Sequence, residues 1–222
     1  RDLYIIGSGA TTNTGRGIFF FTDLPGDLKL PYIRIDHVDA ARFGDYGILI
    51  GADAGNTGYR DVRITYTIAS DNQMGGIFTY AQNPGVHENV YVGHSSAFNN
   101  SGKRGLLFNS GNGITLASVA GATIERSVAR DNGYLCDAGN GPIGIWTYNS
   151  TRVTIQFNES YRNRTGGEKD GGGFCLDLNT SDSVMQYNYS HDNQGAGFQL
   201  AHKPDTFAHR NNVVRYNVSE ND

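Results

Sequence analysis

The sequence predicts an all-β protein, a right-handed parallel β-helix (solenoid) of about seven coils, from two observations. Short apolar segments recur about every 30 residues, and small polar residues and glycines follow them at nearly constant offsets. Thirty glycines among 222 residues also favour many short strands joined by turns. Helices should therefore be scarce.

One strand of each coil ends in an apolar residue that marks the repeat, which we call the anchor. The seven anchors are Ile35, Ile64, Val92, Ile124, Ile155, Met185 and Val214. Positions that recur in register over many coils are expected to stack along an axis, as in other solenoids. The register never reverses, as antiparallel hairpins would require, so the strands should be parallel.

Columns of small or polar residues follow the anchors and indicate the turns. Three residues past the anchor, the column ends in Asn158, Asn188 and Asn217. Five residues past the anchor stand only alanine and serine, which suits an inward position without room for bulk. Eight residues past it, an asparagine ladder closes the next turn, with Phe43 and Asp222 as departures. The members of this second ladder are Asn72, Asn100, Asn132, Asn163 and Asn193.

A further strand in each coil should open with glycine. The glycines that open it are predicted to be Gly17, Gly47, Gly76, Gly105, Gly144, Gly173 and Gly197. If the residue after glycine points inward, alternate residues of these strands face outward. The outward residues include Phe78, Tyr80, Asn109, Trp146, Tyr148 and Asp177. Exposed rings in adjacent coils would form a platform for the C–H faces of sugars, with polar groups for the hydroxyls. The alternative is that a flanking loop or another domain covers these rings.

Insertions enlarge the connections to this face. Residues 133–142 and 164–172 are extra to two coils, and their charged side chains include Asp137, Glu168, Lys169 and Asp170. A third long connection, residues 201–212, carries His202, Lys203, Asp205 and His209. Insertions on one face of a repeat protein usually mark its binding face. We therefore expect acids, bases and rings to converge there.

Two carboxyl groups in this region suggest a chemistry. Cleavage of a glycosidic bond needs a proton donor and a second carboxylate that acts as nucleophile or base. Asp177 is the first candidate, Asp170 is its natural partner and Glu168 is the substitute, while His202 or Lys203 could orient the substrate. The alternative is that Asp170 caps a glycine-rich turn and that Asp177 only hydrogen-bonds neighbouring turns.

Composition limits other functions. A net charge of −4 and the absence of a basic cluster argue against a nucleic-acid partner, and the apolar stretches are too short to span a membrane. We predict no cofactor; calcium would be compatible with the many Asp and Asn residues, although no recognised calcium loop occurs. Cys136 and Cys175 could pair across adjacent coils or remain free. The chain begins without methionine, so residues 1–222 are expected to be one β-helix cut from a longer protein.

Two segments carry a resemblance to a known group of proteins. Asp170-Gly-Gly-Gly-Phe-Cys-Leu-Asp177 and the stretch from Ser183 to Asn193 resemble bacterial secreted β-helix proteins of the pectate-lyase-like, carbohydrate-active superfamily. The acid pair is similar to that of lacto-N-biosidase-like β-helix glycosidases. The resemblance implies a secreted or cell-surface glycoside hydrolase with a carbohydrate substrate, with Asp170 as acid/base and Asp177 as nucleophile.

Two other functions stay open on the sequence. A polysaccharide lyase would use Lys203, Lys169 or an arginine as the base against a uronic acid, often with calcium. A non-catalytic adhesin or spike segment would bind glycan on the same aromatic face without turnover. The β-helix scaffold hosts all of these roles, so the fold alone does not choose among them.

Overall fold

The computed structural model describes residues 2–202 and 209–222, and its strands wind into a parallel solenoid. Within those two ranges there are 22 strands and no helix, so no helix there could cross a membrane. The strands form three parallel sheets, and strands that neighbour each other in a sheet come from successive coils. The predicted fold class, all-β with about seven stacked coils, is confirmed.

The sheets are numbered I, II and III in the order in which the chain passes through them in each coil, beginning with the anchor strand. Sheet I contains the anchor strands β3 (Lys29–Asp36), β6 (Gly58–Thr65), β9 (His87–Gly93), β12 (Val119–Glu125), β15 (Thr151–Gln156), β18 (Val184–Gln186) and β21 (Val213–Arg215). Sheet II contains β1 (Leu3–Ile6), β4 (Val38–Ala41), β7 (Ile68–Ser70), β10 (Ser96–Phe98), β13 (Val128–Arg130), β16 (Glu159–Tyr161), β19 (Tyr189–His191) and β22 (Val218–Glu220). Sheet III contains the glycine-led strands β2 (Ile18–Thr22), β5 (Tyr46–Ala52), β8 (Gly75–Ala81), β11 (Asn112–Ala117), β14 (Ile143–Tyr148), β17 (Gly172–Leu176) and β20 (Phe198–Leu200).

The anchors pair with one another in register, as the sequence predicts. Ile64 faces Val92, Val92 faces Ile124, and Ile155 faces Met185 in adjacent strands of sheet I. These side chains are buried and pack against the inward column of sheet III and the alanine column of sheet II. The core is therefore a set of apolar stacks inside the solenoid, with its buried residues between Ile33 and Met185.

The turn from sheet I to sheet II bends at a single residue with a left-handed backbone. Its φ angle lies between 48° and 57° in all seven coils, although none of these residues is glycine. The residues are His37, Tyr66, His94, Arg126, Phe157, Tyr187 and Tyr216. Their exposed rings stack at 4.8 to 5.3 Å between centroids. Left-handed backbone is unfavourable for these residue types, so neighbouring interactions must hold the bend.

The second asparagine ladder supplies such an interaction at the next turn. The Asn132 Oδ1 accepts hydrogen bonds from the backbone N–H of Asn100 at 3.1 Å and from its Nδ2 at 2.9 Å. The Asn132 Nδ2 donates to the carbonyl of Ala97 and to the Oδ1 of Asn163. Asp222, a departure in the sequence, continues the ladder because its Oδ1 accepts the same pair of bonds from Asn193.

One predicted strand is wrong. Gly105-Leu106-Leu107-Phe108 lies in a loop, and the strand of that coil is β11, in which Gly113 occupies the glycine column beside Gly144. Leu107 is 95% exposed, whereas Ile114 and Leu116 are fully buried. Both segments have the same alternating pattern, but only the second can bury its apolar residues in the coil. The connection between β10 and β11 is therefore also enlarged, and it forms an insertion before β11 in addition to those of residues 133–142 and 164–172.

A buried histidine joins two strands of sheet I to sheet III. The Nδ1 of His87 accepts a hydrogen bond from the backbone N–H of Tyr59, and its Nε2–H donates to the carbonyl of Tyr80 at 2.8 Å. Burial lowers the pKa of His87 to about 4, with the bond to Tyr80 opposing the shift. In neutral His87, Nδ1 accepts one hydrogen bond and Nε2–H donates another. Protonation adds a hydrogen to Nδ1, so the hydrogen bond from Tyr59 is lost.

We expect Asn132→Ala to destabilise the protein by about 3 kcal/mol or more, because it removes four buried hydrogen bonds and leaves their partners unsatisfied. Urea unfolding followed by circular dichroism measures the change. Asn140→Ala, an exposed asparagine in a loop, is the control and should leave the midpoint unchanged. Equal midpoints for the two variants would contradict the role of the ladder.

His87 should make the protein sensitive to acid. Because the folded pKa of about 4 lies below the ordinary value of 6.5, its stabilisation is complete above pH 6.5 and is lost as the pH falls towards 4. The loss is about 3 kcal/mol, at 1.36 kcal/mol for each pKa unit. His87→Asn should flatten this slope in unfolding curves between pH 6.5 and 4, and the exposed His94→Asn should leave it unchanged. A full slope in His87→Asn would assign the acid sensitivity to other groups.

Candidate functional site

A groove of about 1150 Å³ lies over the outer face of sheet III. Its floor runs from β5 to β20, and its walls come from residues 8–16 and from the three insertions before β11, β14 and β17. Five strand spacings separate β5 from β20, so the groove is about 24 Å long. Its shape suits an extended ligand that lies along the solenoid axis.

Aromatic rings form much of the floor, in two groups. Tyr46, Phe78 and Tyr80 form the first group. The ring centroids of Tyr46 and Phe78 are 4.8 Å apart, and those of Phe78 and Tyr80 are 5.9 Å apart. Trp146 and Tyr148 form the second group at 5.0 Å. The register of sheet III places one strand, β11, between the two groups. A ligand lying along the groove would therefore meet two aromatic patches in succession.

The predicted exposed platform is wrong in one respect. Trp146 is only 5% exposed, and its Nε1–H donates to the Oδ1 of Asn112 at 3.0 Å. The ring packs against Ile143, Cys175 and Tyr148 in the floor itself. Phe78, Tyr80 and Tyr148 are half-buried and still line the groove, so these three rings offer the accessible apolar surface.

The corrected strand changes the centre of the floor. Thr115, rather than Leu107, stands in register between Phe78 and Trp146, and its hydroxyl is buried with no hydrogen-bond partner in the described part of the chain. Asn109 is not on a strand, as predicted, but it reaches the groove from the insertion before β11. The sequence placed this side chain correctly at the groove for the wrong reason.

Asp170 and Asp177 both line the groove at the two ends of β17. The backbone N–H of Asp177 continues the ladder of sheet III by donating to the carbonyl of Thr147 at 2.9 Å. Asp170 has a left-handed backbone with φ of 61°, and its Oδ2 accepts a hydrogen bond from Gly141 at 2.8 Å. Asp170 therefore ties two insertions together.

The electrostatic effects show that the two acids act on one part of the floor. Burial raises the pKa of the Cys175 thiol well above its usual range, and the charges of Asp177 and Asp170 raise it further. Burial also raises the pKa of Tyr148 to about 12, again with a contribution from Asp177. Both carboxylates therefore lie near the floor formed by Cys175, and Asp177 also lies near Tyr148.

A charged pair at the other end of the groove was missed by the sequence. The Arg16 Nε and the Asp45 Oδ2 are 2.6 Å apart, and the guanidinium of Arg16 lies 4.4 Å from the ring centroid of Phe19. Burial raises the pKa of Asp45 although Arg16 opposes the shift. Four strand spacings separate β5 from β17, so Asp45 and Asp177 are about 19 Å apart along the axis. That exceeds the separation of any glycosidase acid pair.

Other predicted residues have different positions. Glu168 is exposed on its insertion and does not line the groove. Asp137 also stays outside it, because its Oδ1 accepts a hydrogen bond from Gly105 at 2.7 Å and joins two insertions. His202 lines the groove, with its ring centroid 6.0 Å from that of His209. Lys203 and Asp205 lie outside the described residues.

The described residues contain neither a cluster of metal ligands nor a disulfide. In ranges 2–202 and 209–222, no group of three His, Cys, Asp or Glu side chains is placed to hold a metal ion. Cys136 and Cys175 are both buried and free, so they do not form the disulfide that the sequence left open. Cys175 instead packs against Trp146 and Ile143 beneath the groove.

Residues 104–221, just over half of the chain, match the family described as "Right handed beta helix region". The chain belongs to this right-handed β-helix family. The matched range includes the insertions before β14 and β17 and both groove acids, so the family covers the wall and floor around β17. No curated protein matches this β-helix chain. Membership in the β-helix family is compatible with polysaccharide-acting and adhesin roles, and it specifies neither.

Neither cysteine should react with a thiol reagent in the native protein at pH 7. Cys175 is 2% exposed with a raised pKa, and Cys136 is fully buried; thiolate and access are both needed for reaction. Ellman's reagent should therefore titrate no thiol before denaturation and two thiols afterwards. One fast native thiol would show that the groove floor opens, and no thiol after denaturation would indicate a disulfide.

Proposed function

We propose that the protein is a glycoside hydrolase that binds an oligo- or polysaccharide along the groove. The observation that carries this proposal is the presence of half-buried aromatic rings and two carboxylates in one elongated groove. Pyranose rings have apolar C–H faces and polar edges, so they bind well to aromatic side chains flanked by hydrogen-bonding groups. Asn109 and Gln199 are such groups in this groove.

The bond to be cleaved would lie over the floor at Cys175, between the two acids. Asp177 is fixed to the end of a rigid strand, and Asp170 is fixed in an insertion that stands beside the same strand. A glycosidase needs two carboxyl groups in different environments, one that donates a proton to the leaving oxygen and one that attacks the sugar or activates water. We assign proton donation to Asp170 and the second role to Asp177.

A lyase is the second candidate, because Lys169 also lines the groove beside Asp170. In that reaction a basic side chain removes the C5 proton next to the carboxylate of a uronic acid. The C4–O bond breaks, the leaving sugar departs with that oxygen, and a C4=C5 double bond forms in the product. The two candidates share the groove and the orientation of the ligand. They differ in the essential residue and in the product, so one experiment distinguishes them.

Asp177→Asn and Asp170→Asn should each lower hydrolysis by about 100-fold or more, the usual contribution of a general acid or base. The measurement is the release of reducing ends from a panel of neutral, acidic and host-type glycans, with glycan binding measured in parallel by calorimetry. Glu168→Gln, in the same insertion but outside the groove, is the matched control and should retain activity.

The other outcomes separate the alternatives. An unsaturated product that absorbs in the ultraviolet, with loss of activity in Lys169→Gln, would establish a lyase instead. Glycan binding without turnover by the native protein would indicate an adhesin. Turnover that survives both aspartate substitutions would remove this acid pair from the mechanism.

A further inference from the structure

A second depression, of about 460 Å³, lies on the outer face of sheet I, on another side of the solenoid from the groove. Its floor is formed by three small residues of β12, Ala120, Gly121 and Ala122. Gly121 has φ of 79°, and a Cβ atom there would meet no atom within 4 Å. The floor is therefore open space on the protein surface.

The depression exists because one coil interrupts columns of larger side chains. In register along sheet I, Arg60 is followed by Glu88 and then by Ala120. The next outward column reads Arg63, Tyr91 and Thr123. The missing side-chain volume at β12 leaves a recess between the larger residues of β6 and β9 on one side and those of β15 on the other.

Two exposed arginines line this recess, one from each side. Arg60 comes from β6 and Arg152 from β15, three strand spacings or about 14 Å apart at the backbone. Both are exposed, and neither makes an ion pair within 4 Å with any residue that the structure describes. Six other arginines do make ion pairs with acids, as Arg34 does with Asp61 at 2.6 Å. The recess therefore holds two available guanidinium groups.

An ordered aromatic side chain forms one wall. The ring of Tyr91 lies over Gly93, where a Cβ atom would collide with it, and the Tyr91 hydroxyl donates to the Oε1 of Glu125 at 2.9 Å. The guanidinium of Arg63 lies 5.3 Å from the centre of this ring. Thr123, Thr154 and Glu88 add hydroxyl and carboxylate groups to the lining.

We propose that this depression is a second binding site, for a single sugar residue that carries a carboxylate or a sulfate. Its volume lies within the range of small-molecule pockets, and arginine is the side chain best suited to the planar geometry of a carboxylate. Glu88 accepts hydrogen bonds from sugar hydroxyls, and Tyr91 supplies an apolar edge. The site goes beyond the proposed hydrolysis, because it shares no residue with the groove and needs no turnover.

Titration of isotope-labelled protein with sodium glucuronate, followed by amide chemical shifts at constant ionic strength, tests the site. The amides of Gly121 and Thr123 should shift and saturate with glucuronate but not with glucose. Arg60→Gln and Arg152→Gln should each weaken binding about tenfold, because each removes charge-assisted hydrogen bonds to the anion. Ala120→Gln fills the recess and should abolish binding.

Arg42→Gln is the matched control, because Arg42 is exposed and has a left-handed backbone like Arg152 but lies far from the recess. It should bind glucuronate normally. Equal shifts with glucose, or equal affinity for sodium sulfate, would overturn recognition of an anionic sugar. Binding that persists in Ala120→Gln and in both arginine variants would place the ligand elsewhere. Asp177→Asn should bind as the native protein does, whatever its activity.

Discussion

The need to satisfy buried backbone N–H groups at the turns governs this structure. Each coil bends between sheets through residues with left-handed backbone, and those bends expose amides inside the solenoid. The side chains of Asn100 and Asn132 satisfy these groups. Each accepts a hydrogen bond from the backbone N–H at the turn of the preceding coil and donates one to a backbone carbonyl of that coil. A buried amide without a partner costs as much as a lost hydrogen bond. The coils therefore stack in one register.

The same constraint decides where the groove can form. The second ladder fixes the chain up to Asn100, Asn132 and Asn163, and the glycine of sheet III fixes it again afterwards. Between these two points the chain can lengthen without disturbing the coil. The three insertions leave at this place in successive coils, and they bond to one another, as Gly166 does to Cys136. Adjacent insertions thus become a continuous wall beside sheet III.

The sequence predicts what repeats and fails where one coil differs. The anchors, the ladders and the aromatic columns were predictable because a solenoid repeats them. Gly105 and Gly113 both open an alternating apolar segment, so the sequence pattern alone does not distinguish them. Only the packing of the side chains inside the coil does. The burial of Trp146 depends on its packing against Ile143, Cys175 and Tyr148. The Arg16–Asp45 pair joins residues with no common offset from an anchor. Such features depend on tertiary contacts that periodicity does not contain.

The groove acids gain their positions from the coil and not from a ligand. Asp177 is held by the sheet ladder at the end of β17. Asp170 is held by its bond from Gly141, and the following Gly171 donates to the carbonyl of Pro142. For the hydrolysis that we propose, two carboxylates fixed by their scaffold would lose little free energy to reorganisation when a substrate arrives. The ladders that satisfy the turns thereby also preorganise the groove, so stability and the arrangement of the site have one physical origin.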